Sequence, residues 1–180
     1  GGGAMADYCC YGSIVSYWMA GAPASAVMGM RVNSMHELAD AEDNAAMLVR
    51  FPHCYAVLEG TWTMPQAALP TGPVYCGTEG VLYCTADQEI KAMNIYGDEI
   101  PLPEYELPAH IANIADHYAY CKRTGTPLIK TVTLEYNLKV MELLDAAMRS
   151  NLPSVRIIHG KGTGALRAAA QQSLKRNKFV

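Results

Sequence analysis

The chain has 180 residues, of which 51% are apolar and 17% charged, a balance that suits one globular core, or one core with an appendage, and excludes a disordered chain. No apolar run approaches the roughly 18 residues that cross a bilayer, and the N-terminus lacks a signal's basic start and apolar stretch. A cytoplasmic protein without membrane contact is therefore expected. The net charge of −3 hides a division, because residues 1–154 carry 8 basic and 17 acidic side chains while residues 155–180 carry 6 basic and no acidic ones. A phosphate-bearing partner should meet the tail.

Residues 4–20, AMADYCCYGSIVSYWMA, place small and aromatic residues at helical spacing and stop at Gly21, which predicts a glycine-closed helix. Strand character follows in 26–32 (AVMGMRV), 45–51 (AAMLVRF) and 55–63 (YAVLEGTWT). Residues 73–85 read as a hairpin around Gly77-Thr78-Glu79-Gly80, and residues 89–96 supply a fifth strand. Strands joined by short turns predict a largely antiparallel open sheet of five or more strands. A helix over 107–125 aligns Ile111, Ile114 and Tyr118. Another over 133–151 puts Leu134, Leu138, Met141 and Met148 on one face, which should lie on the sheet. The class is α+β, with helices packed on one sheet face. A change of character near Pro153 then opens a strand, glycine loop and helix tail, so the expected division is 1–150 and 151–180.

The six cysteines, Cys9, Cys10, Cys54, Cys76, Cys84 and Cys121, lack C-x-x-C spacing and are read as reduced thiols packed as small hydrophobes, with no structural metal site. His110 and His117 are seven residues apart, too far for shared ligation on one helix, and are read as surface or interface histidines. Trp62 and Tyr75 are read as core or interface aromatics, not substrate platforms.

The tail holds the sharpest motif, VRIIHGKGTGALR. Gly160, Gly162 and Ala165 satisfy G-x-G-x-x-A, but only 15 residues follow Ala165, too few for the next strand and acidic residue of a dinucleotide fold. The loop resembles instead the Smr (small MutS-related) domain, whose H-G-x-G-x-G element is followed by Leu-Arg and a helix. His159, Gly160, Lys161, Gly162, Thr163, Gly164, Leu166 and Arg167 carry the match. The resemblance implies nucleic-acid binding. Glycines would admit a phosphate to backbone N–H groups, Lys161 and Arg167 would supply charge, and His159 could move a proton. The family's Leu-Asp-Leu-His/Arg-Gly strand is not found upstream, and an active nuclease is not expected.

The larger part is similar to another family. GGGAMADYCCYG resembles the G-G-G-x-L-x-D-x-G-x-H/Y element of the Gfo/Idh/MocA oxidoreductases. Residues 42–62 resemble that family's sheet strands, 75–85 its glycine hairpin and 110–150 its two closing helices. The resemblance makes Asp7 and Tyr11 the candidate catalytic residues, facing a sugar or polyol; i, i+4 spacing on a helix puts both on one face, where they can address one substrate hydroxyl. It implies NAD(P) for full-length members. The nicotinamide-binding half and its Glu-Lys-Pro lysine would precede Gly1, so no cofactor is expected to bind this chain alone. The start without methionine and the end at Val180 read as those of a fragment. By the same resemblance a homo-oligomer is expected through the open sheet face. The leading reading is thus the substrate-binding and oligomerisation half of an NAD(P)-dependent sugar or polyol oxidoreductase, not competent alone. The alternative is a nucleic-acid-binding module acting through residues 155–180, and a third is an assembly protein with neither ligand.

Overall fold

The computed structural model describes residues 2–35, 40–64 and 72–150. The readings made for the tail, including His159, Gly160, Lys161, Gly162, Gly164 and Arg167, lie outside the described residues.

The chain enters through a π-turn, Met5–Cys9, that continues without a break into helix α1, Cys10–Ala20. Gly21, left-handed at φ 61°, closes α1 as its position predicts. Three strands follow, β1 (Ala26–Val32), β2 (Asn44–Arg50) and β3 (Tyr55–Thr61), paired antiparallel in the order β1-β2-β3. Strand alternation puts Ala45, Met47 and Val49 of β2 on one face, where all are buried, and leaves Leu48 exposed on the other. The π-turn, α1 and the last helix, α3 (Leu134–Arg149), cover the buried face. Their shared core is built from Met5, Cys9, Met47, Val49, Phe51, Val140 and Leu144, and burial of each large side chain contributes about 1.5–3 kcal/mol. Tyr17 of α1 stands edge-on to Phe51 and Tyr136, with ring centroids 5.6 and 6.2 Å away, and Tyr136 Oη donates to Ile14 O at 2.9 Å.

A second antiparallel ladder contains β4 (Val74–Cys76), β5 (Gly80–Cys84), β6 (Ile90–Asn94) and β7 (Glu99–Ile100) in sequence order. The α+β class and the antiparallel pairing hold. The strands divide, however, into ladders of three and four instead of extending one sheet, because hairpins pair sequence neighbours and hydrophobic alternation does not say whether two meanders share an edge. Strand β7 was missed. Its two residues are exposed and too few to alternate, and the signal lay in the preceding turn, where Asn94 Oδ1 accepts from Tyr96 N and Asp98 N at 2.9 Å each.

The expected helix over 107–125 is shorter. A 3-10 turn, Ala109–Ile111, precedes α2 (Ile114–Thr124), whose start is set by Asn113, with Oδ1 accepting from Asp116 N at 2.9 Å. Its buried face is not the one the apolar spacing indicates. Ile114 and Tyr118 are exposed, while His117 and Cys121 are buried. His117 is not a surface residue: its Nε2 accepts from Ile129 N at 3.0 Å, and a polar side chain so satisfied can be buried in place of an aliphatic one. His110 stacks on Tyr120 with centroids 4.1 Å apart.

Helix α3 requires a similar correction. Of the four expected on the sheet, Met148 is partly buried against the core, whereas Leu134, Leu138 and Met141 do not lie on the sheet but are exposed, and the seated face is Val140, Leu143, Leu144 and Ala147. The physical reason is close approach. Beta-strand β1 has Gly29 opposite Ala147, and a Cβ on Gly29 would stand 2.8 Å from Ala147 O and 3.1 Å from its Cβ. Two minimal side chains let the helix backbone settle on the strand. Ser150 Oγ then accepts from Gly29 N at 2.8 Å and donates to Ala147 O at 2.9 Å, tying the helix end to β1.

Candidate functional site

The π-turn places the candidate residues. An inserted residue widens the helix locally, a feature that recurs at functional sites, and Asp7 sits within it, exposed. Gly60 of β3 is what admits the turn to the sheet. A Cβ there would lie 2.6 Å from Ala4 O and 3.1 Å from Tyr8 Cβ. Two positions on, and so on the same face, half-buried Trp62 directs its indole Nε1–H to Asp7 Oδ2 at 3.0 Å. That bond orients the carboxylate, and among the described residues no hydrogen bond to Oδ1 is formed. Tyr11, in the first turn of α1, is 66% exposed, so its phenol is available to the same solvent that reaches Asp7.

Trp62, read as a core or interface aromatic, is half-buried and in addition donates to the candidate residue Asp7. The signal was present as Gly60-x-Trp62 at a strand end, a small residue that lets a helix in followed on the same face by a donor. Asp43 holds the arrangement from behind. It is 1% exposed, its O accepts from Trp62 N at 2.8 Å, and its N donates to Val32 O at 3.2 Å. The carboxylate accepts from Ser34 N at 2.8 Å, Met35 N at 2.6 Å and Asn44 Nδ2 at 2.7 Å. Burial pushes the Asp43 carboxyl upward, but these donors outweigh it and hold the group below its ordinary value. Beside it, Glu42 O accepts from Ala4 N at 2.8 Å, so consecutive residues before β2 anchor both the π-turn and Trp62.

The remaining candidates lie elsewhere. Tyr75 is on β4, half-buried, with its phenol pushed up by burial. All six cysteines are free thiols, and burial, then Cys10, Glu42 and Glu59, raise Cys9 to about 11, which makes it a poor nucleophile. Among the described residues no group of three His, Cys, Asp or Glu side chains could hold a metal ion, and no helix is long and apolar enough to cross a membrane. Every strand pairing among them is antiparallel. The parallel strand, glycine loop and helix that seat a dinucleotide pyrophosphate are therefore not formed among the described residues.

Comparison with known proteins divides the chain. Residues 1–83 match the GFO/IDH/MocA C-terminal domain. Residues 130–180 match the Smr domain. The fold is shared with a putative oxidoreductase from Thermotoga maritima, at TM-score 0.64 and 18% identity over 82% of this chain and 44% of that one. It is shared also with the UDP-N-acetylglucosamine 3-dehydrogenase of Acidithiobacillus ferrooxidans, at TM-score 0.63 and 9% identity over 79% and 45%. The Smr part is 62% identical, over 39 residues, to the endonuclease MutS2 of Staphylococcus carnosus, covering 22% of this chain and 5% of that protein. The chain therefore spans under half of those oxidoreductases and a small fraction of the endonuclease. The Smr match takes in the turn Lys130–Val132 and all of α3, the helix seated on the sheet that the Gfo/Idh/MocA match provides.

Proposed function

We propose that the Gfo/Idh/MocA part forms the substrate-binding wall and oligomer contact of an NAD(P)-dependent sugar or polyol oxidoreductase. Asp7 and Tyr11 would receive the reacting hydroxyl. The observation that carries this reading is the Trp62 indole bond to Asp7 Oδ2. It holds an exposed carboxylate in one orientation, with one oxygen left to accept from a ligand and an exposed tyrosine in the following turn. The nicotinamide would supply the hydride chemistry in a full-length relative; this chain's residues would bind and orient the hydroxyl and accept its hydrogen bond. Saturation-transfer NMR with a panel of hexoses, polyols and UDP-sugars tests the reading. Weak binding that is lost in Asp7→Ala and reduced in Tyr11→Phe is expected. Equal binding by Asp7→Ala would end the assignment, and tight NAD(P)H binding by the chain alone would overturn the expectation that the cofactor needs a further domain. The open sheet face, where Met28, Leu48, Tyr55 and Val57 are exposed, is the surface through which copies would associate. Light scattering of Leu48→Glu checks that contact.

A second reading is favoured by the Smr match: residues 155–180 bind nucleic acid. Six basic and no acidic side chains predict an affinity that falls steeply with salt. Lys161→Ala and Arg167→Ala should each reduce both affinity and salt slope. Unchanged binding in both would eliminate this role.

A further inference from the structure

The turn that carries Asp7 begins against a side chain from a distant part of the chain. The first N–H groups of a helix have no acceptor within it, and here two of them are met by Glu42, which lies 37 residues beyond Met5. Its backbone O accepts from Ala4 N at 2.8 Å, and its Oε1 accepts from Met5 N at 3.4 Å. Only 11% of the Glu42 side chain is exposed, and Oε2 stands 3.7 Å from Arg31 Nη1, so a charge that burial would penalise is met on both sides. Gly3 leaves the room, because a Cβ there would fall on the Glu42 carboxylate. Gly3 O in turn accepts from Asp7 N at 3.0 Å.

The next residue, Asp43, holds Trp62 N through its own backbone O. Both ends of the Asp7–Trp62 bond are therefore held by one dipeptide, the turn through Glu42 and the indole through Asp43. Burial of Met5 and Cys9 fixes the depth of the π-turn, whereas its winding depends on the acceptors its first N–H groups meet. We propose that Glu42 is a positioning residue of the candidate site: its carboxylate, through Met5 N, sets the winding of the π-turn and with it the aim of the Asp7 carboxylate at Trp62. The proposal rests on the reading of Asp7 as the hydroxyl-binding residue.

NMR of the ¹⁵N-labelled full chain tests this. The chain has 2 tryptophans, and the Trp62 indole N–H reports its bond to Asp7 directly, with exposed Trp18 as the reference. In Glu42→Ala the Trp62 indole hydrogen should exchange with solvent roughly tenfold faster, as loss of a bond to a charged acceptor requires, while β2 amides keep their protection. Glu42→Gln, which retains an acceptor oxygen at the same reach, should restore the parent rate. Parent-like exchange in Glu42→Ala, or no rescue by Glu42→Gln, would overturn the proposal. Should β2 also lose protection in Glu42→Ala, Glu42→Asp decides, because it keeps the charge but withdraws it by one methylene. The indole should again be freed, and a parent-like rate refutes the positioning. The sugar panel run on the same samples separates the two readings. If the parent chain binds no sugar, hydroxyl binding by Asp7 fails while the indole rates still decide the role of Glu42. If the parent binds and Glu42→Ala binds equally well, the positioning fails alone.

Discussion

The contact between Gly29 and α3 supports a quantitative prediction, because Gly29 lies in the stretch that matches one family and Ala147 in the stretch that matches the other. In Gly29→Ala the new Cβ would meet Ala147 O at 2.8 Å and Ala147 C and Cβ at 3.1 Å. The obstructing atoms are mainly helix backbone, which cannot rotate away, so α3 must move. Overpacking of this kind costs about 1–3 kcal/mol. Displacing the helix also weakens the 2.8 Å bond from Gly29 N to Ser150 Oγ, a loss of up to about 1 kcal/mol. Against this, alanine restricts the unfolded chain and returns about 0.4–1 kcal/mol where the backbone conformation suits it. Gly29 lies in ordinary extended backbone, so that gain applies in full. The packing cost wins, and a net loss of about 1–2 kcal/mol should lower the melting temperature by roughly 2–8 °C in a chain of this size. Thermal melting followed by circular dichroism measures it, with Ser150→Ala as a control expected to lose only the bond. If Gly29→Ala melts at or above the parent temperature, α3 does not rest on β1, and the seating of an Smr-matched helix on this sheet is wrong.

The other predictions use single groups. Because burial raises the Cys9 thiol from 9.0 to about 11, its contribution is fully present below pH 9 and is lost as pH rises from there through about 11. At pH 8 iodoacetamide should label exposed Cys54 and Cys76 well before Cys9, a ranking that mass spectrometry reads directly. Asp43, held below its ordinary 3.8, stabilises the fold above that pH and ceases to do so as pH falls through its lower folded value. Asp43→Asn should flatten this acid limb, and an unchanged limb would remove Asp43 as its source. His117→Ala strips the acceptor from Ile129 N and should cost about 1–3 kcal/mol, seen as a lower urea midpoint. Trp62→Phe removes the indole donor from Asp7. It should weaken sugar binding in the NMR assay while leaving the melt within a few degrees; full retention of binding would show that Asp7 needs no such orientation.

Much of the candidate site was readable from the chain. Asp7 and Tyr11 are spaced for one α-helix but lie in the π-turn and in α1 respectively, while the glycine-stopped helix, the first three strands and the hairpin lie close to where periodicity puts them. Trp62 escaped because its partner is 55 residues away, and a tryptophan at a strand end has the same pattern whether it packs in a core or donates to a carboxylate. Asp43 escaped for a related reason. A buried carboxylate is identified by the amides that converge on it, here those of Ser34 and Met35, and no spacing rule brings a loop's N–H groups to a chosen side chain.

Local chemistry in the sequence thus determined the α+β class, the strand and helix order, the charge division between body and tail and the two family signatures, because each depends on residues within a turn or a strand of one another. Tertiary structure decided which apolar face is used. Helix α3 has two, and the longer side chains of Leu134, Leu138 and Met141 make the more conspicuous stripe in the sequence. The sheet selected the other, because Ala147 opposite Gly29 lets the helix settle close enough for Gly29 N to donate to Ser150 Oγ, and such complementarity exists only once both elements have formed.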